Sequence, residues 1–180
     1  MKQTTIVGID YSLTSPCVCI NDGKKIMFYY LTKKKKHLGK IADNIVGEEH
    51  QEYNTPIERF SNISTWVMSK LPKSLKVYIE GYSFGSKGQA VFQIAENCGI
   101  LKYRLQEANI PYDIVVPSVV KKGATGKGNA DKDMMYEAFN KETKIDLKKL
   151  FDTEKVGNPI SDIADSYFIQ KVGNENSSSN

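Results

Sequence analysis

The sequence predicts an α/β domain, a mixed sheet of five strands, three antiparallel and then two parallel, with helices on both faces. Three observations carry that reading. The chain opens with three short apolar segments, at 5–9, 17–20 and 25–31, separated by turn residues. Helical and strand-like periods then alternate as helix, strand, helix, strand and helices, an order in which crossovers make the later strands parallel. With 180 residues and 40% hydrophobic content, the chain can bury one sizeable core.

The first strand ends at Asp10. Asn21-Asp22-Gly23 supplies the hairpin turn between the second and third strands. Residues 32–54 are polar and lysine-rich without a clear period. They read as a long loop with room for a short helix over 41–46. Thr55 caps the next helix, with Pro56 at its first position and Glu58 closing a capping box. Ile57, Phe60, Ile63, Val67 and Leu71 recur at helical spacing, Pro72 closes the segment, and Trp66 is assigned to the core. Residues 75–79 form the fourth strand, ending at Glu80.

A glycine- and aromatic-containing loop, 81–88, leads into a helix over 89–108, apolar at Phe92, Ala95, Gly99, Tyr103 and Leu105. The fifth strand is 112–116, stopped by Pro117. A short turn over 118–122, a flexible loop over 123–128, a helix over 129–144, a helix or turn over 148–157 and a last helix over 159–172 follow. The chain reads as one domain over 1–172 with a disordered tail at 173–180.

The totals exclude several classes. No apolar run reaches the roughly 20 residues that span a bilayer, and the N-terminus has no signal-peptide core. The expected location is therefore the cytoplasm, or that of a host cell if the protein is viral. Cys17, Cys19 and Cys98 are an odd number, and the first two point to one face of a strand, which suits buried thiols better than a disulfide framework. His37 and His50 have no zinc-ligand spacing around them. A net charge of +4 permits a polyanionic partner without requiring one.

The chemistry lies in the acids. Asp10 and Glu80 each end a buried strand, and in open α/β sheets sites gather at those carboxyl ends. Buried acids are costly unless paired or metal-bound. Asp162 and Asp165 lie three apart on one face of the last helix. Asp162 also suits a helix N-terminus for dipole reasons alone. Four carboxylates in one crevice repel one another, and all-oxygen ligation suits Mg²⁺, with Mn²⁺ as a substitute. Two such ions, about 4 Å apart, can hold a phosphodiester between them.

Two lysine clusters accompany the acids. Lys33, Lys34, Lys35 and Lys36 read as a solvated face or as a DNA-binding one. Lys121, Lys122, Lys127 and Lys132 lie among Gly123, Gly126 and Gly128, which would let backbone approach a phosphate. Lys132, early in its helix, opposes the helix dipole, a mild cost that a role at the scissile phosphate would explain. Tyr82 and Phe84 either pack their loop or stack on unpaired bases.

Taken together, Ile6-Val7-Gly8-Ile9-Asp10-Tyr11-Ser12, Val77-Tyr78-Ile79-Glu80-Gly81, Pro117-Ser118-Val119-Val120-Lys121-Lys122, Thr125-Gly126-Lys127-Gly128-Asn129-Ala130-Asp131-Lys132 and Ser161-Asp162-Ile163-Ala164-Asp165 form an ordered set. The set resembles the RuvC-like Holliday junction resolvases, in their phage-type branch, within the RNase H-like superfamily. The resemblance runs from residue 6 to about 171.

It implies a homodimeric, Mg²⁺-dependent endonuclease acting on four-way DNA junctions, with two metal ions and products bearing 5′-phosphate and 3′-hydroxyl ends. It assigns the metal-binding acids to Asp10, Glu80, Asp162 and Asp165, and basic residues near the phosphate to Lys121 and Lys132. Bacterial members usually follow the first Asp with Pro-Gly, where this chain has Tyr11-Ser12. The alternatives are a related nuclease acting on other branched DNA, flaps or RNA–DNA hybrids, an actin-like ATP-binding protein (which needs two such lobes), and an inactive DNA-binding module.

Overall fold

The opening meander forms as the sequence predicts: β1 (Thr5–Asp10), β2 (Cys17–Asn21) and β3 (Ile26–Thr32) pair antiparallel in order. The computed structural model describes residues 4–73, 75–82 and 88–178. Within the turn after β2, the Asn21 and Asp22 side chains accept backbone N–H groups from Gly23, Lys24 and Lys25, which fixes the hairpin.

Residues 32–54 depart from the expectation of a loop with a short helix. A 3₁₀ turn at Lys35–His37 is followed by a hairpin of β4 (Gly39–Ala42) and β5 (Ile45–Glu49). β5 adds parallel to β3, so the sheet has seven strands in the order β4-β5-β3-β2-β1-β6-β7, not five. The reason is non-local. Asp43 and Asn44 make the turn, Asn44 ties it to β3 through the Ile26 and Phe28 backbone, and Ile45 is fully buried there. Gly47 fits because a Cβ would strike the His37 carbonyl and the Tyr30 ring.

α1 (Pro56–Lys70) starts on the expected capping box, with Thr55 and Glu58 each accepting the other's backbone N–H. β6 (Leu75–Glu80) and β7 (Tyr112–Val115) extend the sheet parallel to β1, joined by α2 (Gln89–Glu107). Cys98, Leu101 and Leu105 form α2's buried face. Phe92, Ala95, Gly99 and Tyr103 lie on its exposed side. Trp66 is half-buried rather than enclosed, with its indole N–H donating to Glu48.

Past β7 the expected turn and flexible loop are one helix, α3 (Pro117–Thr125). Gly123 sits inside it because a Cβ would meet Val172 at 2.5 Å, so the glycine permits close helix packing and is no phosphate cradle. Gly126, at φ +79°, ends the helix in the left-handed conformation. α4 (Lys132–Thr143) follows an Asp131 cap, and α5 (Leu147–Leu150) follows an Asp146 cap. The last helix, α6 (Ile160–Ser178), runs through most of the segment expected to be a disordered tail. Val172 and Gly173 are still buried, the latter against the Tyr78 ring, so packing carries the helix past residue 172.

The sheet divides two cores. On one face Val7, Ile9, Val77 and Ile79 pack with α1 and α2. On the other Cys17, Cys19, Phe28, Tyr30 and Tyr78 pack with α3–α6. The three cysteines are buried and free, as expected.

α6 lies directly on β1. A Cβ at Gly8 would fall on the Ser166 carbonyl and crowd the Gln170 backbone. Gly8→Ala must push helix from sheet, and overpacking of this kind costs about 3 kcal/mol. The expected result is a thermal midpoint lower by roughly 6–12 °C. An unchanged midpoint would mean that the helix docks elsewhere.

Candidate active site

Strand alternation sets which way the acids face. In β1, Val7 and Ile9 point to the α1–α2 side, so Gly8 and Asp10 point to α6. In β6, Val77 and Ile79 take the α1–α2 side, so Tyr78 and Glu80 also face α6. The two strands are adjacent and parallel, with Ile9 beside Ile79, so both acids emerge at one carboxyl edge. The first turns of α6 bring Asp162 and Asp165 to the same place. The four acids foreseen from the sequence are thus neighbours.

Their electrostatics follow from that placement. Burial pushes the Asp10 carboxyl well above its ordinary range, and the charges of Asp162, Asp165 and Glu80 push it further. Burial, then Asp165, raises Glu80 to about 7. Burial, then Asp165, raises Asp162 to about 7. Burial raises Asp165 to about 6, and Lys121 and Lys132 oppose the rise. Lys121 lowers Glu80 and Lys132 lowers Asp162 in the same way. The two lysines singled out in the sequence are therefore the cations that this carboxylate group feels. Lys121 is half-buried on α3, and Lys132 is the first residue of α4.

The other predicted residues separate. Lys122 and Lys127 are exposed beside Lys121, and Thr125 bonds the Lys127 backbone. Tyr82 is exposed at the cleft mouth with the Lys102 ammonium 4.7 Å from its ring centre. Phe84 lies outside the described residues.

A cleft of about 670 Å³ opens beside Asp10 and Glu80, with Leu13, Tyr82, Val91 and Ile94 among its walls. Sequence reasoning missed what holds its floor. The Arg59 guanidinium donates to the Leu13 carbonyl at 2.7 Å, and His50 Nε2 donates to the Thr14 carbonyl at 2.8 Å. Both pin the loop that follows Asp10. Neither residue has a local sequence signal, because the contacts join positions far apart in the chain.

The donor set fits a hard divalent cation. All four groups offer oxygen, burial disfavours the charge of each, and among the described residues Asp162 Oδ2 is buried without a hydrogen-bond partner. Among the described residues no three acidic, histidine or cysteine side chains converge tightly enough to chelate one ion as they stand. Ligation would draw the carboxylates together by changes of rotamer.

No protein-family model matches the chain. The crossover junction endodeoxyribonuclease RuvC of Brachyspira hyodysenteriae is 32% identical over 116 residues, which is 62% of this chain and 71% of that protein. Among solved structures, Thermus thermophilus RuvC superposes with a TM-score of 0.60 at 14% identity over 97% of each chain. T. thermophilus RuvC in complex with Holliday junction substrate gives 0.61 at 16% identity, over 94% of this chain and 92% of that one. The yeast mitochondrial Holliday junction resolvase Ydc2 gives 0.56 at 15% identity, over 94% and 77%.

Sheet order, flanking helices and these matched folds define an RNase H-like α/β protein. Within that class the identity shared with the Brachyspira protein is decisive, and this chain belongs to the RuvC family.

Proposed function

We propose that the protein is a divalent-metal-dependent endodeoxyribonuclease that resolves four-way DNA junctions. The observation that carries the proposal is the gathering of Asp10, Glu80, Asp162 and Asp165 at one sheet edge, in a chain of the RuvC family. Those acids would hold Mg²⁺, two ions per site, with Mn²⁺ able to substitute. When bound, the ions supply charge neutralisation and Lewis acidity at the phosphodiester.

The chain's own groups do the rest. Lys121 and Lys132 place positive charge where phosphate oxygens would sit, and we assign Lys132 the role at the scissile group. Arg59 and His50 hold the loop after Asp10 so that the first acid keeps its aim. Exposed Lys122 and Lys127 contact flanking phosphates, and Tyr82 and Phe84 stack at the branch. Hydrolysis leaves a 5′-phosphate and a 3′-hydroxyl.

We place the protein in the phage-type branch on its Tyr11-Ser12 and on the lysine-rich 33–52 segment. One sheet serving two cores supports one nuclease domain, whose last helix runs on past residue 172. A homodimer is supported by α2, whose exposed side carries Phe92 at 69% exposure and Tyr103 at 63% around Gly99. Among the described residues no helix is long and apolar enough to cross a membrane. We place the protein's work in the cytoplasm, that of a host if it is viral.

The test is cleavage with Mg²⁺ of a mobile four-way junction, run beside flap substrates and an RNA–DNA hybrid of equal arm length. Paired nicks on opposite strands of the junction are expected. Cleavage confined to the hybrid or the flaps would replace the proposal with the corresponding alternative.

A further inference from the structure

A second pocket lies at the same sheet edge, away from the acids. β3 leaves the sheet at Thr32 and enters the Lys35–His37 turn. Opposite that turn runs the chain between α5 and α6. The two enclose about 280 Å³, lined by Lys34, Lys36, His37, Phe151, Lys155 and Asn158 among others.

His37 is the unusual member. It is 6% exposed, and among the described residues neither ring nitrogen has a hydrogen-bond partner. Leaving a buried polar group unsatisfied costs about 1–3 kcal/mol. Its position is nevertheless well fixed. Phe151 meets the imidazole edge-on at 5.1 Å between ring centres, and the Tyr30 hydroxyl donates to the His37 carbonyl at 2.6 Å. A ring held this firmly with its nitrogens unspent is arranged to meet something in the pocket it lines.

The surroundings say what that something is. Lys34, Lys36 and Lys155 line the same space, and among the described residues none of them is ion-paired. Lys34 Nζ reaches the Asn158 carbonyl at 3.3 Å, which holds the ammonium over the pocket. Burial, with Lys34 and Lys36 beside it, keeps the imidazole below its usual range, so the ring is neutral and offers one N–H. Three ammonium groups and one buried N–H donor suit a compact oxyanion such as a phosphate group.

The location narrows the choice. β3 runs in the same direction as β1, two strand spacings away, or about 10 Å. Ile160, which lines the pocket, lies in the first turn of α6, two residues before Asp162. A DNA strand whose cleaved phosphate sat at the acids would pass close to this pocket.

We propose that the pocket between the Lys35–His37 turn and the α5–α6 connection binds a phosphate group of the DNA backbone, outside the cleavage site, through His37, Lys34, Lys36 and Lys155. That the phosphate belongs to DNA rests on the proposed function; that the pocket takes phosphate does not.

The test uses the full chain without divalent ions and follows the imidazole ¹H–¹⁵N signals. The protein has two histidines, and His50, engaged with Thr14, serves as the internal control. Titration with inorganic phosphate should shift the His37 signals saturably and leave those of His50 in place. Addition of a four-way junction or a linear duplex should displace the phosphate. No saturable shift with phosphate or with DNA overturns the pocket. A phosphate shift that bound DNA does not compete away overturns the backbone assignment, and absence of any DNA binding would instead count against the proposed function.

The exposed pair Lys36→Gln with Lys155→Gln, which leaves the core untouched, gives a second reading. Junction affinity at low salt should fall about fivefold or more, and the slope of log K against log salt should shrink by about 1. An unchanged slope and affinity overturn the proposal.

Discussion

Asp10→Asn should lower junction cleavage in Mg²⁺ by on the order of 10³-fold or more, while junction binding is retained or improved. A loss of that size corresponds to about 4 kcal/mol of transition-state stabilisation. It is expected because Asp10 is the acid whose carboxyl feels all three of the others. Removing it changes the charge of the group and, on the proposed function, would weaken its hold on cations. The amide is nearly isosteric, so the sheet and α6 should be undisturbed. Binding should improve if anything, because one negative charge leaves a surface that must meet a polyanion. Single-turnover cleavage and a binding titration in Ca²⁺ or without metal measure the two quantities separately. Cleavage at a near wild-type rate would remove Asp10 from the site and with it the central proposal.

The second large effect concerns stability, and its sign follows from the same acids. Glu80, Asp162 and Asp165 are raised to between about 6 and 7 in the folded protein. In the unfolded chain they titrate near 4. Between about pH 4 and 7 the folded state therefore keeps protons that the unfolded state has lost. Stability must fall as pH rises through that window and level off above it.

Without divalent ions, the wild type should lose stability from pH 5 to pH 8 relative to Glu80→Gln, which cannot ionise there. The variant should be more stable by about 2 kcal/mol at pH 8, or roughly 4–8 °C in the thermal midpoint. Mg²⁺ at pH 8 should raise the wild-type midpoint more than the variant's, since a ligand that binds the folded state alone stabilises it by mass action. Melting curves across pH, with and without Mg²⁺, decide this. Parallel curves for the two proteins would mean that the acids are not under mutual strain.

How much of this could be read from the sequence differs by element. The acids were legible because strand ends and a three-residue helical spacing are local patterns. So were Lys121 and Lys132, which stand beside those patterns. The β4–β5 hairpin is poorly legible in sequence, although Asp43-Asn44 between Ile41 and Ile45 carries a turn signal. Four consecutive lysines mask the weak alternation, and β5 gains its order from pairing with β3. Gly123 misled for a related reason, because a glycine that spares room for Val172 looks in sequence like one that loosens a loop. α6 runs beyond the end its sequence predicts because Gly173 packs on the Tyr78 ring of the sheet, a contact no local pattern signals. His50 and Arg59, which fix the loop after Asp10, were invisible because both interactions are long-range hydrogen bonds to carbonyls.

The close seat of α6 on β1, with Gly8 against the Ser166 carbonyl, has a consequence for when activity can exist. Half of the acids come from the sheet and half from that helix. A chain whose α6 has not docked holds Asp10 and Glu80 together but lacks the other two proposed metal ligands. On the proposed function, cutting would be withheld until folding is complete, and a nascent or partly unfolded molecule would be harmless to DNA.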